Sequence, residues 1–413
     1  MNIHKSTLAN GLRLVHCEDR TTQMVALNVV YDVGARDEHP AHTGFAHLFE
    51  HLMFGGSAHI PDFDTPLQLA GGESNAWTNN DMTNYYLTVP ACNAATGFWL
   101  ESDRMLQLDF SPRSLEVQRG VVMEEFKQRC LNQPYGDMSH LVRALAYQVH
   151  PYRWPTLGKE LSHIADATLD LVEEFFYRHY APNNAVLAVT GHISWDEVRR
   201  LADRWFAPIP ARPVPDRRLP QEPEQRETRR LTVERNVPLD ALHMAYHVCG
   251  RDETDYYAVD LLSDLLGNGR SNRLNQHLVQ QRKVFSSIDA YISGSREPGL
   301  LHISGKPAPG VSLPEAEAAV RYELEDLMDR SVPEPELEKV KNKFESTQIF
   351  GNLGYLNVAT NLAIFELLGA ADDIDREVSR YRAVTAPHLQ AVARETFRPD
   401  NGSIIYYRAS QAH

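Results

Sequence analysis

The sequence predicts an α+β fold made of two homologous domains, each a mostly antiparallel sheet packed with helices. The chain has 413 residues, more than one compact core usually holds. Six prolines fall between residues 208 and 228, and proline cannot donate to a helix or a sheet ladder. We therefore predict an extended, semi-rigid linker at 208–228 between domains at 1–207 and 229–413. The order of strand and helix signals in the first half recurs in the second, which indicates an internal duplication.

The composition is that of an ordinary globular protein, with 43% hydrophobic and 23% charged residues. Lys and Arg number 41 and Asp and Glu 55, a net charge of -14, which disfavours nucleic acid or an anionic membrane as the main partner. The four cysteines lack CxxC spacing, which argues against a cysteine zinc site or a disulfide framework. No apolar run of about 18 residues and no secretory signal is recognisable, so a cytoplasmic protein is expected.

The predicted first domain opens with two short strands around Asn10-Gly11, a dipeptide that favours tight hairpin turns. Residues 24–33 are rich in Val and predict a buried strand. A helix over residues 44–54 would be capped by Thr43 and ended by two following glycines. Further strands are predicted at residues 83–90 and 184–191, and further helices at residues 94–108, 114–129 and 168–180.

The helix over residues 44–54 carries His47, Glu50 and His51. Residues i and i+4 lie on one helix face, so the two imidazoles can bind a single cation. Two imidazoles and one carboxylate leave a position on zinc free for water, which is the arrangement of catalytic zinc sites. A carboxylate that is not a ligand can then act as general base. The alternative is that both histidines are core residues with satisfied hydrogen bonds.

The second half repeats this order in a weaker form. A strand is predicted over residues 231–247 and a helix over residues 255–266, which the segment 267–269 would end. A shift of 213 residues superposes this helix on the helix of the first half. It places Asp260, Ser263 and Asp264 at the positions of His47, Glu50 and His51. The domain at 229–413 is therefore predicted to lack metal ligands.

The order of residues in His47-Leu48-Phe49-Glu50-His51 is the inverse of the thermolysin-type motif and resembles the inverzincins. This is the family of pitrilysin, insulin-degrading enzyme and mitochondrial processing peptidase, and the chain is similar to its short bacterial-type members. The likeness covers nearly the whole chain. Segments similar to the family are residues 43–54 (TGFAHLFEHLMF), 71–78 (GGESNAWT), 118–125 (QRGVVMEE), 150–152 (HPY), 180–184 (YAPNN) and 269–274 (GRSNRL).

The resemblance implies a third zinc ligand on the segment 118–125. Matching Arg119 to the family's arginine puts this ligand at Glu125, and a register error of one residue would make it Glu124. The family usually has a glutamate seven residues earlier, where this chain has Gln118. Such a group would steady a ligand through hydrogen bonds without binding the metal.

The resemblance also implies that Asn75, Ala76 and Trp77 bind substrate. In the family this strand is an exposed sheet edge to which the substrate backbone adds as a further strand. The alternative is an ordinary core strand with Trp77 buried.

Long relatives stabilise the oxyanion with an arginine and a tyrosine of the second half. Leu301 stands where this arginine is expected, so the stabilising residue is not assigned. His302 is expected to face solvent.

The implied function is that of a zinc metalloendopeptidase acting on unfolded peptides, with one zinc per chain and Glu50 as general base. Two such chains would form one clam-shell chamber, so a homodimer or a heterodimer with a metal-free sister subunit is expected. The first alternative is a non-catalytic or partner-activating subunit of a processing peptidase. The second alternative is a metal hydrolase acting on something other than peptide.

Overall fold

The computed structural model describes residues 1–214 and 216–410, so Pro215 of the predicted linker lies outside the described residues. The chain forms two compact units, and neither is one contiguous half of the sequence. Unit 1 comprises Met1–Gln128, Trp154–Leu219 and Gln348–Arg376, and unit 2 comprises Arg129–Arg153, Pro220–Thr347 and Glu377–His413. Each unit thus contains a segment from the other half of the sequence, unlike the contiguous domains predicted at 1–207 and 229–413.

Unit 1 is built on a six-stranded sheet in the order β1-β2-β6-β3-β5-β4. Strands β2 and β6 are parallel and the other neighbours are antiparallel. The strands are β1 (Ile3–Thr7), β2 (Arg13–Glu18), β3 (Met24–Tyr31), β4 (Glu73–Thr78), β5 (Thr83–Pro90) and β6 (Ala185–Gly191).

Helices cover both faces of this sheet. They are α1 (Phe45–Leu52), α2 (Asp64–Leu69), α3 (Ala94–Leu106), α4 (Pro112–Phe126), α6 (Leu161–Ala165), α7 (Leu169–His179), α8 (Trp195–Trp205) and α12 (Tyr355–Leu368). Successive strand residues point to opposite faces, so Val29 packs with α1 while Val30 packs against Leu362 of α12. Helix α12 lies across β2, β3 and β6, which explains why residues 348–376 belong to unit 1.

Unit 2 contains a five-stranded sheet in the order β7-β11-β8-β10-β9. Helix α5 packs on β7, β8 and β11, so residues 129–153 belong to this unit. The strands are β7 (Arg229–Arg235), β8 (Ala241–Val248), β9 (Phe285–Ile292), β10 (Gly299–Pro307) and β11 (Gly402–Ala409). The helices are α5 (Met138–Ala146), α9 (Tyr256–Gly267), α10 (Leu313–Asp329), α11 (Glu334–Gly351, which runs on into unit 1), α13 (Glu377–Ala383) and α14 (Ala386–Thr396).

The two sheets have the same topology, with β7, β11, β8, β10 and β9 in the places of β2, β6, β3, β5 and β4. The pairs β2–β6 and β7–β11 are both parallel. Asn184 and Asn401 each donate to the last turn of the preceding helix and to a carbonyl after or within a central strand. The fold of two homologous α+β domains is therefore confirmed, although each unit takes one helix from the other half of the chain.

The strand predicted over residues 231–247 is wrong in one respect, because β7 and β8 are separate strands. Pro238 lies between them and cannot donate a hydrogen bond to a ladder, so the extended run is interrupted there. The strand predicted at 83–90 coincides with β5, and the helix predicted at 168–180 agrees with α7 within one residue at each end.

The described part of the proline-rich segment contains no helix or strand from residue 211 to residue 228. Within unit 1, Arg212 donates to the carbonyls of Tyr180 and Leu106, and Arg217 donates to Asp32 and Asp37. Within unit 2, the Glu222 carboxylate accepts three consecutive backbone N–H groups from residues 148–150. Side chains therefore anchor this segment to the unit in which each part lies.

No helix in the described ranges is both long and apolar enough to cross a bilayer.

Candidate metal centre

The N-terminus of α1 is held by a carboxylate from outside the helix. Gly44 occupies the N-cap position with φ of 88°, a left-handed conformation that favours glycine. The Glu38 side chain accepts the N–H groups of Gly44 and Ala46, each at 2.9 Å, and the indole N–H of Trp154 at 3.1 Å. Burial raises the pKa of Glu38 to about 8, while these three donors act in the opposite direction.

The prediction that Thr43 caps this helix is wrong. Its hydroxyl accepts the backbone N–H of Lys159 at 2.7 Å and lies 2.8 Å from the His163 ring nitrogen. The N–H groups that a cap would satisfy are already bonded to Glu38, so Thr43 instead joins α1 to the segment around α6.

The inner face of α1 packs into the core of unit 1 through Phe45, Leu48 and Phe49, and the Phe49 carbonyl accepts the buried Tyr85 hydroxyl. This packing fixes the rotation of the helix. The two histidines lie toward α4, where His47 is 8% exposed and His51 is partly exposed.

Glu125 of α4 meets both imidazoles. Its Oε2 lies 3.5 Å from His47 Nε2 and 3.3 Å from His51 Nε2, and one ligand atom from each residue lies within 4.8 Å of the others. A tetrahedral zinc ion with bonds of about 2.0–2.2 Å separates neighbouring ligand atoms by about 3.3–3.6 Å. The donor set and its spacing therefore fit zinc with three protein ligands.

Glu124 points elsewhere, because adjacent residues on a helix differ in direction by about 100°. Its side chain is 56% exposed and pairs with Lys127 at 3.5 Å, whereas the Glu125 side chain is 19% exposed. Of the two candidates for the third ligand, the structure brings Glu125 to the histidines.

Glu50 accepts a hydrogen bond on Oε2 from the Thr78 hydroxyl at 2.5 Å. Thr78 is the last residue of β4, so this bond joins the helix that carries the histidines to the edge of the sheet. Glu50 is not among the three residues whose donor atoms converge.

Strand β4 is the edge of the six-stranded sheet and carries the predicted substrate residues. Ala76 packs into the core on the side of α1, and Trp77 packs on the opposite face with the cluster that includes α12. Asn75 is exposed, and its side-chain oxygen accepts the Ala76 N–H at 2.8 Å. Trp77 is therefore half-buried, between the two sequence-based alternatives, and substrate binding stays a prediction.

Gln118 lies two helical turns before Glu125 on α4, on a similar face. Its amide nitrogen is close to Gly55, just beyond the end of α1, since a Cβ on that glycine would lie 3.5 Å from it. This places Gln118 against the end of the metal helix, and its predicted hydrogen bond to a ligand stays a prediction.

His302 does not face solvent as predicted. It is 8% exposed on β10, where its ring lies 3.2 Å from His243 Nε2 and stacks on Tyr291. Burial keeps the pKa of His302 well below its usual range. Leu301 beside it is fully buried.

Sequence reasoning missed Glu38 and gave Thr78 no role. Glu38 precedes the N-cap by six residues, and no capping pattern places a helix partner at that distance. Thr78 was part of the similar segment 71–78, but only the pairing of β4 beside α1 brings it to Glu50.

Comparison with known proteins gives two matches to family models. Residues 13–160 match the model described as Insulinase (Peptidase family M16) and residues 166–344 match the Peptidase M16 inactive domain. The three convergent residues and Glu50 all lie within the first match.

Similar proteins cover nearly the whole chain. The zinc protease PqqE of Helicobacter pylori is 26% identical over 98% of this chain and 93% of that protein. The crystal structure of a protease from Helicobacter pylori superposes with a TM-score of 0.92 at 25% identity, covering 98% of this chain and 99% of the other. A probable mitochondrial-processing peptidase subunit beta of Arabidopsis thaliana is 22% identical over 86% of this chain and 69% of that protein. This chain belongs to peptidase family M16.

Proposed function

We propose that the protein is a zinc metalloendopeptidase that hydrolyses peptide bonds in unfolded peptides. The observation that carries this proposal is the convergence of His47, His51 and Glu125 at tetrahedral spacing, with the carboxylate of Glu50 on the same helix. The relatives named zinc proteases support the same reaction class.

Zinc, when bound by the three residues, supplies Lewis-acid activation of a water molecule and polarises the substrate carbonyl. Glu50 takes a proton from the attacking water and later delivers it to the nitrogen of the leaving amine. Because Glu50 is partly buried and follows His47 by three residues, it reaches the same side of α1 as the ligands.

The free edge of β4 supports an extended peptide as substrate. A peptide that adds to this edge bonds mainly through its backbone, which gives affinity with little sequence preference. Folded proteins have few strands free to pair in this way, so unfolded segments are the expected substrates.

We further propose that the active form contains two chains, either two copies of this chain or this chain with a metal-free sister subunit. One similar protein is named as a subunit of a processing peptidase, which supports a partnered assembly. Light scattering of the purified protein at several concentrations distinguishes a self-sufficient homodimer from a monomer that waits for another subunit.

The test is cleavage of a mixed set of quenched fluorescent peptides by the zinc-loaded protein. Chelator-sensitive cleavage is expected, and Glu50→Gln should lower it by about 10²- to 10⁴-fold, the usual contribution of general acid–base catalysis, with zinc content unchanged. Glu124→Gln is the matched control, since it makes the same chemical change on an exposed glutamate of α4 and should leave cleavage unchanged.

Cleavage that persists in Glu50→Gln would contradict the assigned general base. A zinc-loaded protein that cleaves no peptide, alone or after dimerisation, would contradict the peptidase proposal for the isolated chain. That result would favour the non-catalytic subunit instead.

A further inference from the structure

Thr78 ends the edge strand β4, and its hydroxyl donates to Glu50 Oε2 at 2.5 Å. A hydrogen bond to a carboxylate is among the stronger ones in proteins. The bond connects two elements that are far apart in sequence. Glu50 is on the metal helix, and Thr78 is 28 residues later on the sheet.

The hairpin that carries Thr78 is anchored independently of α1. Thr78 pairs with Thr83 across the hairpin, and the carbonyls of Asn79 and Asn80 accept the N–H groups of Ala35 and Arg36. The Arg36 guanidinium, on a residue that is 2% exposed, donates to Asp81 within the hairpin and to Asp32 after β3. The Thr78 hydroxyl is therefore presented from a rigid part of the sheet.

Glu50 would otherwise be the mobile partner. A glutamate side chain has several rotatable bonds and loses about 1.5–2 kcal/mol of rotamer freedom when it is ordered. Threonine is branched at Cβ and restricted in χ1, so a threonine hydroxyl on a strand is a well-defined donor. The geometry thus has a rigid donor and a flexible acceptor, which favours one orientation of the carboxylate.

We propose that Thr78 is a positioning residue, whose hydroxyl holds the Glu50 carboxylate in the orientation needed for proton transfer. This inference rests on the proposed function, in which Glu50 is the general base. It assigns to the last residue of β4 a part in the reaction that is separate from backbone pairing with substrate.

The first experiment compares Thr78→Val, which keeps the shape and removes the hydroxyl, with Thr78→Ser, which keeps the hydroxyl. In zinc-loaded protein, Thr78→Val should lower kcat by about 10- to 100-fold, since small misplacements of a reacting group have effects of this size. KM should stay within about twofold, because the lost contact acts in the chemical step. Thr78→Ser should restore most of kcat, and zinc content should be equal in all three proteins.

Thr83→Val is the matched control. Thr83 faces Thr78 across the hairpin, and its buried hydroxyl donates to the Val33 carbonyl. It should lower stability and leave kcat close to that of the wild type. Equal kcat in Thr78→Val and the wild type, or equal loss in Thr78→Ser and Thr78→Val, would overturn the proposal. Thr78→Ala replaces Thr78→Val if the latter does not fold.

A thermal double-mutant cycle on the metal-free protein tests the contact without proteolysis. Thr78→Val should lower Tm by about 2–5 °C in the wild type, the size expected for loss of one hydrogen bond to a charged group. In Glu50→Ala the same substitution should shift Tm by less than about 1 °C, since the acceptor is gone. A coupled cycle with no peptide cleavage by the wild type would count against the proposed function and not against the contact. An uncoupled cycle would overturn the positioning role.

Discussion

Helices α1 and α9 follow equivalent strands, β3 and β8, in sheets of the same topology, yet only α1 carries a metal-binding set. By the shift of 213 residues, α9 has Asp260 and Asp264 where α1 has His47 and His51. Asp260 accepts the Tyr381 hydroxyl at 2.5 Å, and Asp264 accepts the Asn268 side chain at 2.6 Å. The positions that are predicted to correspond to ligands in unit 1 thus form hydrogen bonds within unit 2.

The second helix of each pair differs in charge as well. Glu125 of α4 approaches the histidines of α1, whereas Lys343 of α11 donates to Asn268 at the end of α9. An ammonium group in this place repels a cation. The comparison teaches that the duplicated fold conserves strand order, while metal chemistry depends on a few side chains of two helices.

The largest expected effect follows from removing a ligand in unit 1. Glu125→Gln and His51→Ala should each lower zinc affinity by about 100-fold or more, since even loss of an outer hydrogen-bond partner costs about 10- to 100-fold. Asp264→Asn in unit 2 is the paired control and should leave affinity unchanged. Competition titration with a chromogenic chelator measures all three. Equal weakening by Asp264→Asn would break the assignment of the metal to unit 1.

The second prediction concerns the helices that the two halves exchange. Leu362 of α12 is fully buried, and Leu362→Ala should lower the free energy of unfolding by about 2–5 kcal/mol through the cavity it leaves. Hydrogen exchange should increase in the β3 and β6 peptides of unit 1, although residue 362 belongs to the second half of the sequence.

Val142→Ala in α5 is the reciprocal variant, with a smaller side chain lost. It should increase exchange in β8 and β11 of unit 2. Faster exchange confined to the sheet of the same sequence half would contradict the observed division of the units.

The smallest effect concerns the buried charge of α9. Burial raises the pKa of Asp260 from 3.8 to about 6, so the folded state binds more protons than the unfolded state between these values. Stability contributed by this group is therefore present below pH 4 and lost as pH rises to 6. Asp260→Asn keeps an acceptor for Tyr381, and at pH 8 it should be more stable than the wild type by about 1–3 kcal/mol.

Urea unfolding at pH 4 and pH 8 measures this difference. The two proteins should have nearly equal stability at pH 4, where Asp260 is protonated in the folded state. A stability difference that is the same at both pH values would show that ionisation of Asp260 is not its cause.

Local sequence patterns were sufficient for the elements that contain them. The run of β-branched and aromatic residues at 83–90 predicted β5, and the spacing of His47, Glu50 and His51 predicted a shared helix face, because both depend on neighbours within a few residues. The resemblance of residues 118–125 to the family singled out Glu125 over Glu124.

A second sign of the duplication was not used. The segments YAPNN at 180–184 and FRPDN at 397–401 precede equivalent strands β6 and β11, and each supplies an asparagine with the same two kinds of carbonyl partner. Strands β3 and β8 share their offset of 217 residues, so the offset of 213 for the helices requires a connection shorter by four residues in unit 2.

The sequence by itself determined the metal helix, the edge-strand segment and the existence of two similar halves, because each is written in local spacing or in repeated order. The tertiary structure alone decided that Glu38 holds the N-terminus of α1, that Thr78 reaches Glu50, and that α5 and α12 are exchanged between the halves. These contacts join residues that are distant along the chain or lack any periodic relation. They depend on which apolar faces find a sheet to cover, and burial is a property of the packed chain that no single segment specifies.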